Sequence, residues 1–395
     1  MESHMRKNGN VIVVTGFKGG NYGTKLQSTA LCKYFEKLGY TTSILEKFSY
    51  KGYFLRHLDI GFARLLKRIL SNNDTIQFFD DKEHYYYSAE REKRLNEYDA
   101  ENYHAVIIET KDQYDDMVRA NTTYVVGSDI IWQPAMGIPG YWFLDFIYYT
   151  KLNRFSYATS IGANELPPKY FHFYRKYLDK FTSVGVRENT AVKLLTPHTN
   201  RNVTQVIDPT LLHNVDFWDR FADAAKISVK NVVPGEYVFC YFVMHDSTYW
   251  DYIKLVNNYL ISNPETVNYK IIILPMHHLD ESQPYTVILD GTPYEFVYLI
   301  KHAAFIITDS FHVCAFSLNY KKEFYLLRRK RKDEDSKYDD FFERYGLTSR
   351  SIHNRCEFNR DALIDYEYAH KKLDEDRKFA NDFISNALSI NSFKG

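Results

Sequence analysis

The chain has 395 residues, 45% hydrophobic and 25% charged, a length and composition that predict two globular domains rather than one. Its 50 basic side chains balance 50 acidic ones, which excludes a general nucleic-acid binder, because that needs a basic excess to displace phosphate counterions. No apolar run approaches the roughly 20 residues that cross a bilayer, and Cys32, Cys240, Cys314 and Cys356 form no CxxC pair, which argues against a zinc site or a disulfide framework and fits a reducing cytoplasm.

Residues 1–10 read as a tag or disordered start, with Met1 to Met5 as an expression scar, and no signal peptide follows. Val11 to Val14 is a short buried strand that runs into a glycine-rich turn, Gly16 to Gly23. Leu26, Ala30, Leu31, Tyr34, Phe35 and Leu38 then fall on one helical face, and Thr41 to Leu45 is the next strand. This β-loop-α-β opening predicts a parallel sheet. Tyr53 to Leu70 mixes Leu, Phe and Ile with Arg56, Arg64, Lys67 and Arg68. It reads either as an amphipathic helix touching a membrane surface or as a segment packed on the domain. Residues 80–105 are charged and tyrosine-rich, a helical or irregular surface. Strands follow at Tyr124 to Val126, Arg154 to Ser160, Ser183 to Val186 and Gln205 to Ile207, with helices over Phe171 to Phe181 and through Val192 and Leu195.

The second half restarts the same grammar. Strands are expected at Tyr237 to Val243, Tyr269 to Leu274, Phe305 to Thr308 and Phe324 to Leu327, and helices at 248–261, Pro293 to Lys301 and Phe311 to Leu318. The predicted class is α/β: two Rossmann-like domains facing a cleft, over 11–212 and 235–350, with Pro234-Gly235 as the hinge or domain start. A C-terminal helix within 360–392, with Leu373, Ala380, Phe383, Ile384, Ala387 and Leu388 on one face, is expected to pack back on the domains.

Polar residues cluster just past the strand C-termini, where an open α/β sheet presents its site. They are Asn21, Ser128-Asp129, Arg187-Glu188, Asp208, His277-His278 and Asp309 to His312. The turn at Gly16 to Gly23 lacks the order of both GxGxxG and the P-loop, so both fingerprints are rejected. Arg187, between a strand and a helix N-terminus, is suited to a phosphate or carboxylate, and equally to an ion pair with Glu188. His312 sits in the first turn of a helix capped by Asp309 or Ser310. It is either a structural histidine or a proton donor, and a phosphate bound beside it would sustain its charge. Adjacent His277 and His278 point apart on an extended segment, so no metal site is expected. The basic run Arg328 to Lys332 meets Asp333 to Asp335 at once and reads as a self-compensating loop.

Seven segments, in order and spanning roughly residues 11–350, resemble the polysaccharide pyruvyl transferase family. They are Asn21-Tyr22-Gly23 with Leu26-Gln27 and Ala30-Leu31; Gly127-Ser128-Asp129 with Trp132 and Pro134; Tyr141 to Phe146; Ser156 to Gly162; Val186-Arg187-Glu188; Asp208 to Leu212; and Thr308 to His312 with Phe316-Ser317. The resemblance implies a GT-B-like fold with the acceptor on the first domain and the donor on the second. It implies no cofactor, phosphoenolpyruvate as co-substrate, and a ketal formed on two hydroxyls of a sugar, free or lipid-linked. On that resemblance His312 and Arg187 are the catalytic pair. Arg187, Ser310, Phe311 and His312 would bind the donor, and Asn21, Tyr22, Asp129, Trp132 and Asp208 the acceptor. Some members of the family carry Arg at the position of Ser310, so Arg328, Arg329 or Lys337 is a candidate for the missing cation. The competing readings are a nucleotide-sugar glycosyltransferase on the same architecture and a non-catalytic glycan-binding descendant. Localisation is expected in the cytoplasm or at the inner face of the membrane, where residues 53–70 would make the contact.

Overall fold

The computed structural model describes residues 8–48, 88–119, 122–134, 140–147, 152–225, 232–243, 248–277, 285–288, 290–328, 336–352 and 363–390. The readings placed on Met1 to Met5, on Tyr53 to Leu70, on His278 and on residues 329–335 lie outside these, as does Cys356.

Seven strands form the first sheet: β1 (Asn10–Val14), β2 (Thr41–Phe48), β3 (Ala105–Ile108), β4 (Thr122–Val126), β5 (Arg154–Thr159), β6 (Ser183–Val186) and β7 (Val203–Gln205). Their order is β3-β2-β1-β4-β5-β6-β7 and every pairing is parallel. The second sheet has six: β8 (Tyr237–Tyr241), β9 (Lys270–Ile273), β10 (Thr286–Val287), β11 (Phe305–Thr308), β12 (Phe324–Leu327) and β13 (Ser351–Ile352). It runs β10-β9-β8-β11-β12-β13, again all parallel. Strands covered on both faces need apolar residues at every position, which is why β1 carries four valine or isoleucine residues in succession.

The strand order reverses between β1 and β4 in the first sheet and between β8 and β11 in the second. Neighbouring connections leave in opposite directions at such points and open a crevice at the strand C-termini. The loops there are Thr15 to Asn21, Gly127 to Asp129, the residues after Tyr241, and Asp309-Ser310.

Helices α1 (Tyr22–Lys37), α2 (Ala89–Asn102), α3 (Lys111–Arg119), α4 (Phe171–Leu178), α5 (Asn189–Leu195), α6 (Pro209–Leu212) and α7 (Val215–Ala222) belong to the first half. Then come α8 (Thr248–Ser262), α9 (Pro293–His302), α10 (Phe311–Asn319), α11 (Ser336–Arg344) and α12 (Tyr366–Ser389). One apolar core runs from Val11 and Val13 of β1 through Leu26 and Ala30 of α1, Trp218 of α7 and Phe296 of α9 to Phe239 and Ile306 of the second sheet. The faces between the two sheets are therefore joined by side chains, with the Trp218 and Phe316 rings 4.7 Å apart. Helix α12 crosses back over both halves. Asn153 Nδ2 donates to Ala387 O at 2.8 Å, and Arg377 reaches Leu211 O at 2.9 Å and Asn319 Oδ1 at 2.9 Å.

Several boundaries differ from the sequence reading. The strand expected at Gln205 to Ile207 is Val203–Gln205, because Val206 and Ile207 turn into the core between the sheets. β8 stops at Tyr241, since the Val243 amide goes to a carboxylate instead of the ladder. β3, α3, α7 and α11 were not expected. β3 is a four-residue edge strand whose Ile107 is exposed, and α11 (SKYDDFFER) hides its apolar side among charges. No helix among the described residues is long and apolar enough to cross a membrane. Cys32, Cys240 and Cys314 are buried thiols.

Candidate active site

β11 delivers the chain to the turn before α10. Asp309 there is a brace. Its Oδ1 accepts from Val243 N at 2.6 Å and its Oδ2 from the Tyr249 hydroxyl at 2.7 Å, which ties the end of β11 to the end of β8. Ser310 takes the N-cap position, but its side chain makes no cap bond. The expectation that Asp309 or Ser310 caps this helix through its side chain is thus corrected: the aspartate is spent on the neighbouring strand. His312, on the first turn, is buried, with its ring against the start of α1. A Cβ on Gly23 would lie 2.2 Å from His312 Nδ1, so only glycine at that position leaves room for the ring.

The first sheet supplies the charges. Past β4, Asp129 has φ 79°, a left-handed conformation that short polar side chains tolerate. Its Oδ2 accepts from the Thr24 hydroxyl at 2.9 Å and its Oδ1 from Ile130 N at 2.9 Å. Ser128 N donates to Gln27 Oε1 at 3.1 Å, which locks this turn to α1. Past β6, Glu188 receives the Ser160 hydroxyl (2.9 Å), Ile161 N (2.8 Å) and Gly162 N (3.1 Å) on one oxygen. It braces the loop after β5 and is not the partner of Arg187. Arg187 Nη1 instead donates to Asp208 Oδ2 at 3.0 Å. Asp208 meanwhile caps α6, with Oδ1 accepting from Thr210 N at 3.0 Å and the Thr210 hydroxyl at 2.7 Å.

These pieces meet at one point. His312 Nε2 lies 3.6 Å from Asp208 Oδ2, an ion-pair separation longer than a hydrogen bond, and it has no hydrogen-bond partner. The Arg187 guanidinium lies 4.3 Å from the centre of the Phe311 ring, and its Nε is buried without a partner. Burial opposes ionisation of Asp208, but His312, Arg187 and the Thr210 amide outweigh it and hold the carboxyl well below the usual range. Asp129 is held low in the same way: burial is overcome by His312, Arg187, the Ile130 amide and the Thr24 hydroxyl. Burial likewise works against the charge on Arg187, and Asp208 and Asp129 more than restore it, so its pKa is raised.

The structure brings His312, Arg187, Asp129 and Asp208 together, with Phe311 under the guanidinium. It does not bring in the side chains of Tyr22 and Trp132. Tyr22 is fully buried, its hydroxyl donating to Gly291 O at 2.8 Å and its ring stacked on Phe296. Trp132 is fully buried, bonded to Trp142 O at 2.9 Å and stacked on Phe143. Asn21 caps α1 through Gly23 N and Thr24 N. Thr24, which touches Asp129, was not singled out in the sequence. A hydroxyl at the N-terminus of a helix that follows a switch-point loop is the signal that marks it. His277 Nε2 sits 2.7 Å from Val243 O, and among the described residues no three potential metal ligands come together.

The sequence profile of the polysaccharide pyruvyl transferase family matches residues 21–331, which include every member of this cluster. The chain belongs to the polysaccharide pyruvyl transferase family. No curated protein sequence matches it. Among solved structures, the chain is similar to a UDP-N-acetylglucosamine 2-epimerase at 11% identity and TM-score 0.50, over 99% of this chain and 98% of that one. The Neisseria meningitidis UDP-GlcNAc 2-epimerase bound to UDP-GlcNAc gives 10% identity and TM-score 0.46, over 96% and 98%. The glycotransferase of kitacinnamycin gives 11% and 0.48, over 98% and 99%. At such identities the likeness describes the fold alone, a GT-B-like pair of parallel sheets with a C-terminal helix. Family membership makes the chain an enzyme of the pyruvyl-transferring kind, acting on a polysaccharide sugar.

Proposed function

We propose that this enzyme moves pyruvyl from phosphoenolpyruvate to two hydroxyls of one sugar, in a bacterial-type surface polysaccharide or its lipid-linked precursor, and releases phosphate and a pyruvate ketal. The observation that carries the reading is the meeting of His312 with Arg187 and two ionised aspartates past the strand C-termini of both sheets.

The chemistry follows from what each side chain can do. Protonated His312 gives its Nε2 proton to the enol methylene, and C2 becomes an electrophilic centre bearing a methyl group. One sugar hydroxyl adds to C2 and loses its proton. The C2–O bond to phosphate breaks, with Arg187 taking up the charge of the departing group. The second hydroxyl then adds to C2, loses its proton and closes the ketal. Asp208 is fully buried and already accepts several bonds, so it orients Arg187 and faces His312. Asp129 is only half-buried, and it is the carboxylate suited to receive a sugar hydroxyl.

The test is phosphate release that requires both phosphoenolpyruvate and a glycan, with mass spectrometry of a glycan library for the added pyruvyl mass. His312→Ala and Arg187→Ala should each lose about 100-fold or more in turnover. Full activity in both variants would sink the site assignment. Binding of a nucleoside diphosphate with no response to phosphoenolpyruvate would favour a glycosyltransferase.

A further inference from the structure

The proton donor and the carboxylate that meets the sugar come from different halves of the molecule. His312 lies on α10, which follows β11 of the second sheet, and Asp129 follows β4 of the first. Their spacing is set only if one frame holds both, and the first turn of α1 is that frame. Gly23 lies against the His312 ring, where a Cβ would come 2.2 Å from Nδ1. Thr24, the next residue, donates its hydroxyl to Asp129 Oδ2 at 2.9 Å. Consecutive Cα atoms are about 3.8 Å apart, so two adjacent residues space the imidazole and the carboxylate on one stretch of helix backbone.

That turn is itself tied to both halves. Asn21 Oδ1 accepts from Gly23 N at 2.9 Å, and Gln27 Nε2 donates to Thr24 O and Gly16 O, each at 2.9 Å. Toward the second sheet, the Tyr22 hydroxyl donates to Gly291 O at 2.8 Å and the Tyr22 ring stacks on Phe296.

The loop that carries Asp129 has anchors that do not involve the Thr24 hydroxyl. Ser128 N donates to Gln27 Oε1 at 3.1 Å, the Thr15 hydroxyl to Ser128 O at 2.9 Å, and Ser160 N to Asp129 O at 2.9 Å. The loop backbone is therefore fixed without Thr24, and the hydroxyl acts on the carboxylate alone. Asp129 Oδ1 takes the Ile130 amide and Oδ2 takes Thr24. These two bonds fix the side chain, and each carboxylate oxygen keeps a second lone pair for a further donor. Thr24 and Asp129 are both half-buried, whereas Asp208, the other carboxylate of the cluster, is fully buried.

We propose that Thr24 is a positioning residue: it holds the Asp129 carboxylate in one orientation, at a set spacing from His312, and so presents it to a hydroxyl of the acceptor sugar. The inference rests on Asp129 being the group that receives that hydroxyl. The experiment is steady-state kinetics on Thr24→Val, Thr24→Ser and Asp129→Gly, varying in turn phosphoenolpyruvate and the library glycan that gains the pyruvyl mass. Calorimetry of glycan binding replaces kinetics for any variant that turns over too slowly to follow. Valine keeps the methyl that faces Gly16 and removes the hydroxyl, and glycine keeps the left-handed backbone of Asp129 without its carboxylate. Loss of a hydrogen bond to a charged group should lower kcat/KM for the glycan about tenfold or more in Thr24→Val, with Thr24→Ser within about threefold of wild type. The KM for phosphoenolpyruvate and the melting temperature should not move. In the Asp129→Gly background, Thr24→Val should cost less than about twofold, because the hydroxyl has lost the group it acts through. An equal loss in both backgrounds would assign Thr24 a structural role and overturn the inference. Wild-type kinetics in Thr24→Val beside an impaired Asp129→Gly would overturn it too, and leave the reading of Asp129 standing. Wild-type glycan kinetics in Asp129→Gly overturns that reading and the inference together.

Discussion

The two sheets build their shares of the site in different ways. The first sheet contributes Asp129, Arg187 and Asp208, each from a different loop: Asp129 accepts from Thr24 and Ile130, Asp208 accepts from Thr210 and from Arg187, and Arg187 is held by that bond to Asp208 and by the Phe311 ring. The second sheet contributes His312 from a single turn, and the nearest restraint on its ring is the bare Gly23 backbone. The two aspartates are held by hydrogen bonds, whereas the imidazole is placed by packing and keeps its Nε2 unbonded. A group that must move a proton benefits from an uncommitted nitrogen, and groups that set a field benefit from rigidity.

Substitution at each side probes this contrast. Asp208→Ala removes the counter-charge of a buried arginine and the cap of α6 together, so it should cost about 3–5 kcal/mol of stability by denaturant unfolding. A loss below about 1 kcal/mol would mean the charged side is not held by this pair. Gly23→Ala acts on the other side. Alanine favours the helix, so the fold should survive, but the new methyl must push the His312 ring away. The expected outcome is a drop in kcat of about 100-fold or more with the donor KM little changed, and wild-type kcat would show that the ring is not placed by that contact.

The smallest effect concerns the layer that joins the two sides. His213 is buried there, its Nε2 2.8 Å from Ala30 O and its ring stacked on Phe217. Burial, helped by Lys37 and Arg377, pushes its pKa down to about 4. The unfolded chain therefore binds the proton first, near pH 6.5, so stability present above that value is lost as pH falls from about 6.5 to 4 and levels off below. The loss should not exceed about 3 kcal/mol, and His213→Gln should flatten the slope in that window. An unchanged slope in His213→Gln would assign the pH dependence to other groups.

Much of the architecture is legible in the sequence because the signals are local. Apolar runs of four or five residues, each followed by a polar turn and a periodic helix, gave both parallel sheets and placed Arg187, Asp208 and His312 just past strand ends. Elements with weak local signals escaped: β3 at a sheet edge, and α11, whose buried Tyr338, Phe341 and Phe342 are interleaved with charges. Tyr22 and Trp132 lie beside site residues in the chain, yet their side chains point into the core, because a turn and a core anchor often sit on neighbouring residues. Sequence alone determined the α/β class and the family, and set Asp129, Arg187, Asp208 and His312 just past strand ends. Only the tertiary structure decided that Arg187 pairs with Asp208 rather than Glu188, that His312 rests on Gly23, and that Lys337 shares a cavity with Arg187. The physical reason is range: strands and helix starts are set by neighbours a few residues away, whereas partners for charges are chosen by which loops the two sheets bring to the same end.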